Sequence, residues 1–104
     1  ADDSSIAEAI NLIVSGKGGI ALVDGQDKWL LPLPFAGIMS GNDGYEVARQ
    51  YRRMDQRAKE MGSTLSAPYM TLSFMSLLVI PAVKLSDRGL FDGTRFEFMD
   101  LFEK

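Results

Sequence analysis

The sequence predicts an α+β fold: two helices packed on a mostly antiparallel sheet, in one small domain over residues 1–104. Three observations predict it. Two stretches carry apolar residues at helical 4-3 spacing behind capping signals. An Asp-Gly pair joins two short apolar runs, as a hairpin turn does. Beyond residue 67 the texture shifts to a proline-bracketed run dense in apolar and β-branched residues, which reads as strand.

Ser5-Ile6-Ala7-Glu8 has the form of a capping box, with Ser5 at the N-cap. Ile6, Ile10 and Ile13 follow on one face, and Gly16, able to take the left-handed cap conformation, ends a helix over residues 5–15. Gly18 and Gly19 break the chain before the short strand Ile20-Ala21-Leu22-Val23. Asp24-Gly25 turns it, and Lys28-Trp29-Leu30-Leu31 returns as the partner strand. Pro32 and Pro34, which cannot donate to a ladder, stop it. Residues 35–42 are too apolar for a solvated loop and too broken by glycine for a helix, so they must cross a surface that covers them.

A second capping box, Asp43-Gly44-Tyr45-Glu46, opens the most regular element. Val47, Tyr51, Met54, Ala58 and Met61 keep 4-3-4-3 spacing, and Gly62 supplies the stop. This predicts a helix of about four turns, with Val47, Tyr51, Met54 and Met61 buried and Arg49, Arg53 and Arg57 exposed opposite. In the run bracketed by Pro68 and Pro81, residues 71–77 read as a strand, followed by extended chain through 85. Ser86-Asp87-Arg88-Gly89 is a turn, and Phe96 and Phe98 alternate around Glu97 in a last short strand.

Composition excludes several function classes. The chain of 104 residues is 46% hydrophobic and 24% charged, and folding at that size buries about 65% of the unfolded chain's surface, enough for a core. It contains no cysteine, which rules out disulfides and thiolate chemistry and points to a reducing, cytoplasmic setting. It also contains no histidine, the residue most used for catalytic zinc and for acid–base work at neutral pH. No acidic pair is spaced for an all-carboxylate metal site, so catalysis by this chain alone is disfavoured. A net charge of −3 argues against a general nucleic-acid or anionic-membrane binder. No apolar run reaches the ~20 residues that span a bilayer.

Three stretches carry a family resemblance: Leu31-Pro32-Leu33-Pro34-Phe35-Ala36-Gly37-Ile38-Met39-Ser40, then Ala67-Pro68-Tyr69-Met70-Thr71-Leu72-Ser73-Phe74 with Val79-Ile80-Pro81, then Lys84-Leu85-Ser86-Asp87-Arg88-Gly89-Leu90-Phe91-Asp92. They resemble, in order and spacing, the C-terminal domain of the adenine deaminases, whose LPLPxAGxMS and KLTDxGLxD segments they match. The resemblance implies an accessory part of an enzyme of purine salvage that hydrolyses adenine to hypoxanthine and ammonia. It implies a metal-activated water, with manganese or iron, inside an amidohydrolase (β/α)₈ barrel of the parent chain. It also implies that the present chain starts just after a histidine-containing strand. No cofactor, metal ligand or catalytic residue transfers to any position here. The implied partners are that barrel and further copies of the chain, as a homo-oligomer.

On that resemblance, four residues are candidates to face the substrate. Met39 and Ser40 would line the barrel mouth, Ser40 offering a hydrogen bond to a purine edge; the bland alternative is a buried inter-domain turn in which Met39 fills a gap. Thr71 and Ser73 are hydroxyls in an apolar run, which backbone groups or solvent more often satisfy. The other function class is a non-catalytic interaction module, using residues 31–40 or the Arg49/Arg53/Arg57 stripe to hold a protein partner. A solvated outer helix face explains that stripe as well. Trp29, without a flanking basic groove, reads as core or interface rather than a stacking platform. Gly16-Lys17-Gly18-Gly19 follows a helix instead of preceding one, the wrong order for a phosphate loop.

Overall fold

Asp2 starts the first element. Its carboxylate accepts from the Ser5 N–H at 2.8 Å, satisfying a donor that every helix start leaves open, and α1 runs Asp3–Ser15. The cap lies three residues before the expected Ser5–Glu8 box, because a carboxylate suits the positive end of a helix better than a hydroxyl. Glu8 pairs instead with Lys28. At the far end Gly16 stays right-handed, with φ −81°, and Lys17 takes the left-handed turn, with φ 58°. The N–H groups of Lys17 and Gly18 reach back to the Val14 and Ile13 carbonyls at 3.1 and 2.9 Å, a Schellman closure. Glycine serves at 16 through its size: a Cβ there would lie 2.8 Å from Leu30 Cδ2.

The computed structural model describes residues 1–102, in two units, Ala1–Pro68 and the chain from Tyr69 onward. In the first, β1 (Gly19–Asp24) and β2 (Asp27–Pro32) pair antiparallel around Gly25-Gln26, with Ile20 opposite Leu31 and Asp24 opposite Asp27. The hairpin is the one expected. α1 packs mainly on β1. Ala9, Leu12 and Ile13 are half-buried, whereas Ile6 and Ile10 of the expected face stay about half exposed, since two strands are too narrow to cover the whole stripe.

α2 spans Gly44–Glu60, and the Asp43 carboxylate accepts from the Tyr45 and Glu46 N–H groups at 3.1 and 3.2 Å. Only this half of the expected box forms, because Glu46 turns to Arg49 and to Gln50, at 2.9 Å from the latter. The N–H groups of Gly62 and Ser63 close the helix on the Lys59 and Ala58 carbonyls, so Gly62 is the stop the sequence predicts. Met54 is 3% exposed and forms the core with Leu22 and Leu31, while Val47 and Tyr51 are half-buried. Met61 departs from expectation at 46% exposed. The helix ends at Glu60, and Met61 lies beyond that end as the cap residue.

The remaining chain differs most from expectation. Pro68–Met75 is a helix, α3, where a strand over residues 71–77 was expected. Pro68 sits at the first helical position, where its missing N–H costs nothing, and Thr71 is the one β-branched residue in the element. The Ser73 and Ser76 hydroxyls donate to the Met70 and Ser73 carbonyls, each at 2.8 Å, so the hydroxyls that blurred the period serve the helix's own backbone. β3 (Val83–Ser86) and β4 (Gly89–Asp92) pair across Asp87-Arg88, the expected turn, and β5 (Glu97–Met99) adds to β4 in the order β3-β4-β5. Phe96 precedes that strand, with φ 60°, and its N–H donates to the Asp92 carbonyl at 2.7 Å. The Phe91 ring meets Phe96 and Phe98 edge-on at 5.4 and 5.3 Å. The Asp92 carboxylate accepts from the Thr94 and Arg95 N–H groups at 2.8 and 3.1 Å. The Arg95 bond, then the Thr94 bond, hold its carboxyl below the usual range.

Among the described residues the architecture is therefore α+β with three helices and two small antiparallel sheets, in place of two helices on one sheet. Among the described residues no helix is long and apolar enough to cross a membrane. The placement of α2 makes a sharp comparison. Met54→Ala is expected to cost about 2–4 kcal/mol in urea unfolding, through lost burial and a cavity. Arg53→Ala, at an exposed position, is expected to change stability by less than about 0.5 kcal/mol. Equal losses would show that the helix is turned the other way.

Candidate functional site

After β2 the chain does not run on into solvent. The Leu33 N–H donates to the Gly18 carbonyl at 3.0 Å, which ties the strand's exit to the α1–β1 junction. Ala36 and Gly37 are then both left-handed, φ 55° and 77°, and reverse the chain so that Phe35 and Met39 exchange backbone hydrogen bonds at 3.1 and 3.0 Å. Gly18 is glycine for contact as well as conformation: a Cβ on it would stand 2.3 Å from Gly37 Cα. Bare backbone meets bare backbone there, and the turn is pinned.

That pinning leaves Phe35, Ile38 and Met39 directed outward and largely exposed. Ser40 is half-buried, and its Oγ accepts from the Asn42 N–H at 3.1 Å, which leaves the hydroxyl proton available to donate. Met39 and Ser40 thus share one short turn. Thr71 and Ser73 are exposed on α3, two positions apart and so about 200° around the helix from one another. They do not share a face. The Ser73 proton is already committed to the Met70 carbonyl.

The arginine stripe is not uniform. Arg49 and Arg53 are exposed, as expected, but Arg57 is half-buried, and its side chain reaches the hairpin turn. Its Nη2 donates to Asp24 Oδ2 at 2.6 Å and to Asp27 Oδ2 at 3.4 Å, and Nη1 meets Glu60 Oε2 at 3.4 Å. The stripe as a free docking face for an acidic partner is corrected to this extent: one of its three guanidinium groups is spent inside the fold. Sequence reasoning missed the pair although its signal was present, an aspartate at each end of the Asp24–Asp27 turn. Beside Arg57 lies a shallow cleft of about 370 Å³, lined by Asp27, Trp29, Arg53, Gln56, Arg57 and Glu60. Trp29 is partly exposed along it, neither core nor free platform. Nearby, bonds from Gln50 and then Arg49 hold the Glu46 carboxyl below the usual range.

A manganese or iron ion does not fit the donors present. The chain has neither histidine nor cysteine, and among the described residues no three or more acidic side chains gather as a metal would require.

Comparison with known proteins decides the lineage. The adenine deaminase C-terminal domain family matches residues 1–97. The chain belongs to that family. It is 52% identical over 102 residues to an adenine deaminase of Methanosarcina acetivorans, which covers 98% of this chain and 18% of the relative. It is 54% identical over 99 residues to the adenine deaminase of a Sulfurovum species, covering 94% and 19%, and 52% identical over 103 residues to that of Salinibacter ruber, covering 98% and 19%. An adenine deaminase C-terminal domain of this kind spans about a fifth of the length of the curated relatives it matches. No solved structure matches the chain.

For this domain the Arg57 network is the test of how α2 is held. Arg57→Ala is expected to lower stability by about 1 kcal/mol, more than Arg49→Ala, since one guanidinium spans two hairpin carboxylates while Arg49 sits in an exposed helix pair. Parallel urea titrations of the two variants read the difference, and equal losses would mean that the hairpin pairs carry no net weight.

Proposed function

We propose that the chain serves as the C-terminal accessory domain of an adenine deaminase, whose parent protein converts adenine and water to hypoxanthine and ammonia. The observation that carries the reading is identity of 52–54% along nearly the whole chain to proteins named for that activity. The attack of water on the amidine carbon and the departure of ammonia are assigned to residues outside this chain. The reason is chemical: the chain has no imidazole, and among the described residues no cluster of carboxylates is suited to hold the metal. A cytoplasmic setting is proposed with it, on the lack of cysteine.

Within this reading Met39 and Ser40 are the residues of the chain best suited to face a purine. They sit in a pinned turn, with an exposed thioether for a flat ring and a hydroxyl able to donate. Thr71 and Ser73 are weaker candidates, because they point to different sides of α3. The 104-residue chain is expected to release no ammonia from adenine, with or without added manganese, iron or zinc, whereas the full-length protein that carries it is expected to do so. An ammonia assay on both checks this. Activity of the short chain that follows the protein through repurification would overturn the division of labour.

The isolated chain is also proposed to associate with itself. It exposes much apolar surface, Phe35, Ile38 and Met39 in the first unit and Leu72, Phe74 and Met75 in the second. Patches of this kind usually mark contact surfaces. Light scattering over a concentration series is expected to show a dimer, and a monodisperse monomer at high concentration would refute it.

A further inference from the structure

From Met61 to Val83 the chain carries no charged side chain, although most of these residues are exposed. Loss of charge is what distinguishes the centre of a contact surface from ordinary protein surface. α3 stands in the middle of this stretch. Met70, Leu72, Phe74 and Met75 are each more than half exposed, and at 100° per residue they span about 200° of the helix circumference. An apolar arc that wide, interrupted only by Thr71, exceeds the stripe of about 100° by which a surface helix faces its own core, and Ser73 lies on the side left over. Two hydroxyls of the stretch make no objection to burial. Ser73 and Ser76 have already turned their protons onto the helix's own carbonyls.

We propose that α3, with the chain through Val79, is the seat on which the remainder of the parent chain lies. The inference rests on reading the chain as one domain of a longer adenine deaminase, and it names the surface by which that domain is held. Two arguments select this occupant. The curated relatives carry about four fifths of their length outside the matched stretch, so a large body is covalently at hand. A second copy meeting α3 about a two-fold axis would cover one side of the helix, whereas an apolar span of about 200° needs a concave wall.

The methionines supply the probe, because oxidation of a thioether follows its exposure. Hydroxyl-radical footprinting would compare the full-length protein with the dilute 104-residue chain, both held below the concentration at which light scattering shows association. Met54, buried in the first unit, is the slow reference in both. Met70 and Met75 are expected to oxidise several-fold more slowly in the full-length monomer than in the short chain. Equal rates in the two proteins would overturn the proposal. So would protection that appears only as either protein is concentrated, since the cover would then be another copy. The footprint is read whether or not the protein deaminates adenine. An inactive full-length protein that shields Met70 and Met75 would sink the functional reading alone, and an active one that leaves them open would sink the docking surface alone.

Discussion

A side chain at Gly18 would collide with Gly37, and that meeting of two bare backbones decides the course of the chain after the first hairpin. With Gly18 also accepting from Leu33, the exit of β2 is tied to the junction of α1 and β1, and the turn from Phe35 to Met39 has one place to go. The chain emerges from that turn at Asp43, whose carboxylate opens α2. Placed there, α2 can lay Met54 into the core with Leu22 and Leu31 while Arg57 reaches the hairpin aspartates. Helix, hairpin and loop are therefore positioned by an absence of side chains as much as by contact among them. It is a steric constraint with no tolerance, because backbone atoms cannot yield as the end of a long side chain can.

Where a local signal had one physical meaning, the sequence was enough. The hairpin that Asp24-Gly25 signals, with its turn on Gly25-Gln26, the Asp43 cap, the Gly62 stop and the turn from Ser86 to Gly89 stand as read, because each rests on backbone conformation or a hydrogen bond within a few residues. Ambiguity entered where a pattern fits two outcomes. The run after Pro68 has no clean period, and a run of that kind reads as strand or helix with equal ease. The deciding features were Pro68 at a first helical position and serines that bond their own turn. Arg57 shows another limit. Its partners lie some thirty positions away, at separations that no helical or strand spacing reveals. The four candidate substrate residues were legible only as members of motifs.

The distribution of burial bears on what such a domain does. Among the described residues the buried apolar core is Leu22, Leu31 and Met54, all in the first unit, and many large apolar side chains remain open. The exposed Phe35–Met39 turn and α3 share one character, large apolar side chains open to water.

Acid should act on this domain at its corners rather than at its centre. The Asp2 carboxyl, held down by the Ser5 bonds at the start of α1, and the Asp92 carboxyl, held down within the β4–β5 turn, bind a proton less readily in the folded chain than in the unfolded one. The stability each contributes is therefore present above the ordinary carboxylate range, about pH 4, and drains away as the pH falls through it. Protonated, both would lose much of their hold on the N–H groups they gather. Acidification is therefore expected to loosen the front of α1 and the tip of the β4–β5 ribbon. With Glu46 on α2, these carboxylates work as latches that low pH releases.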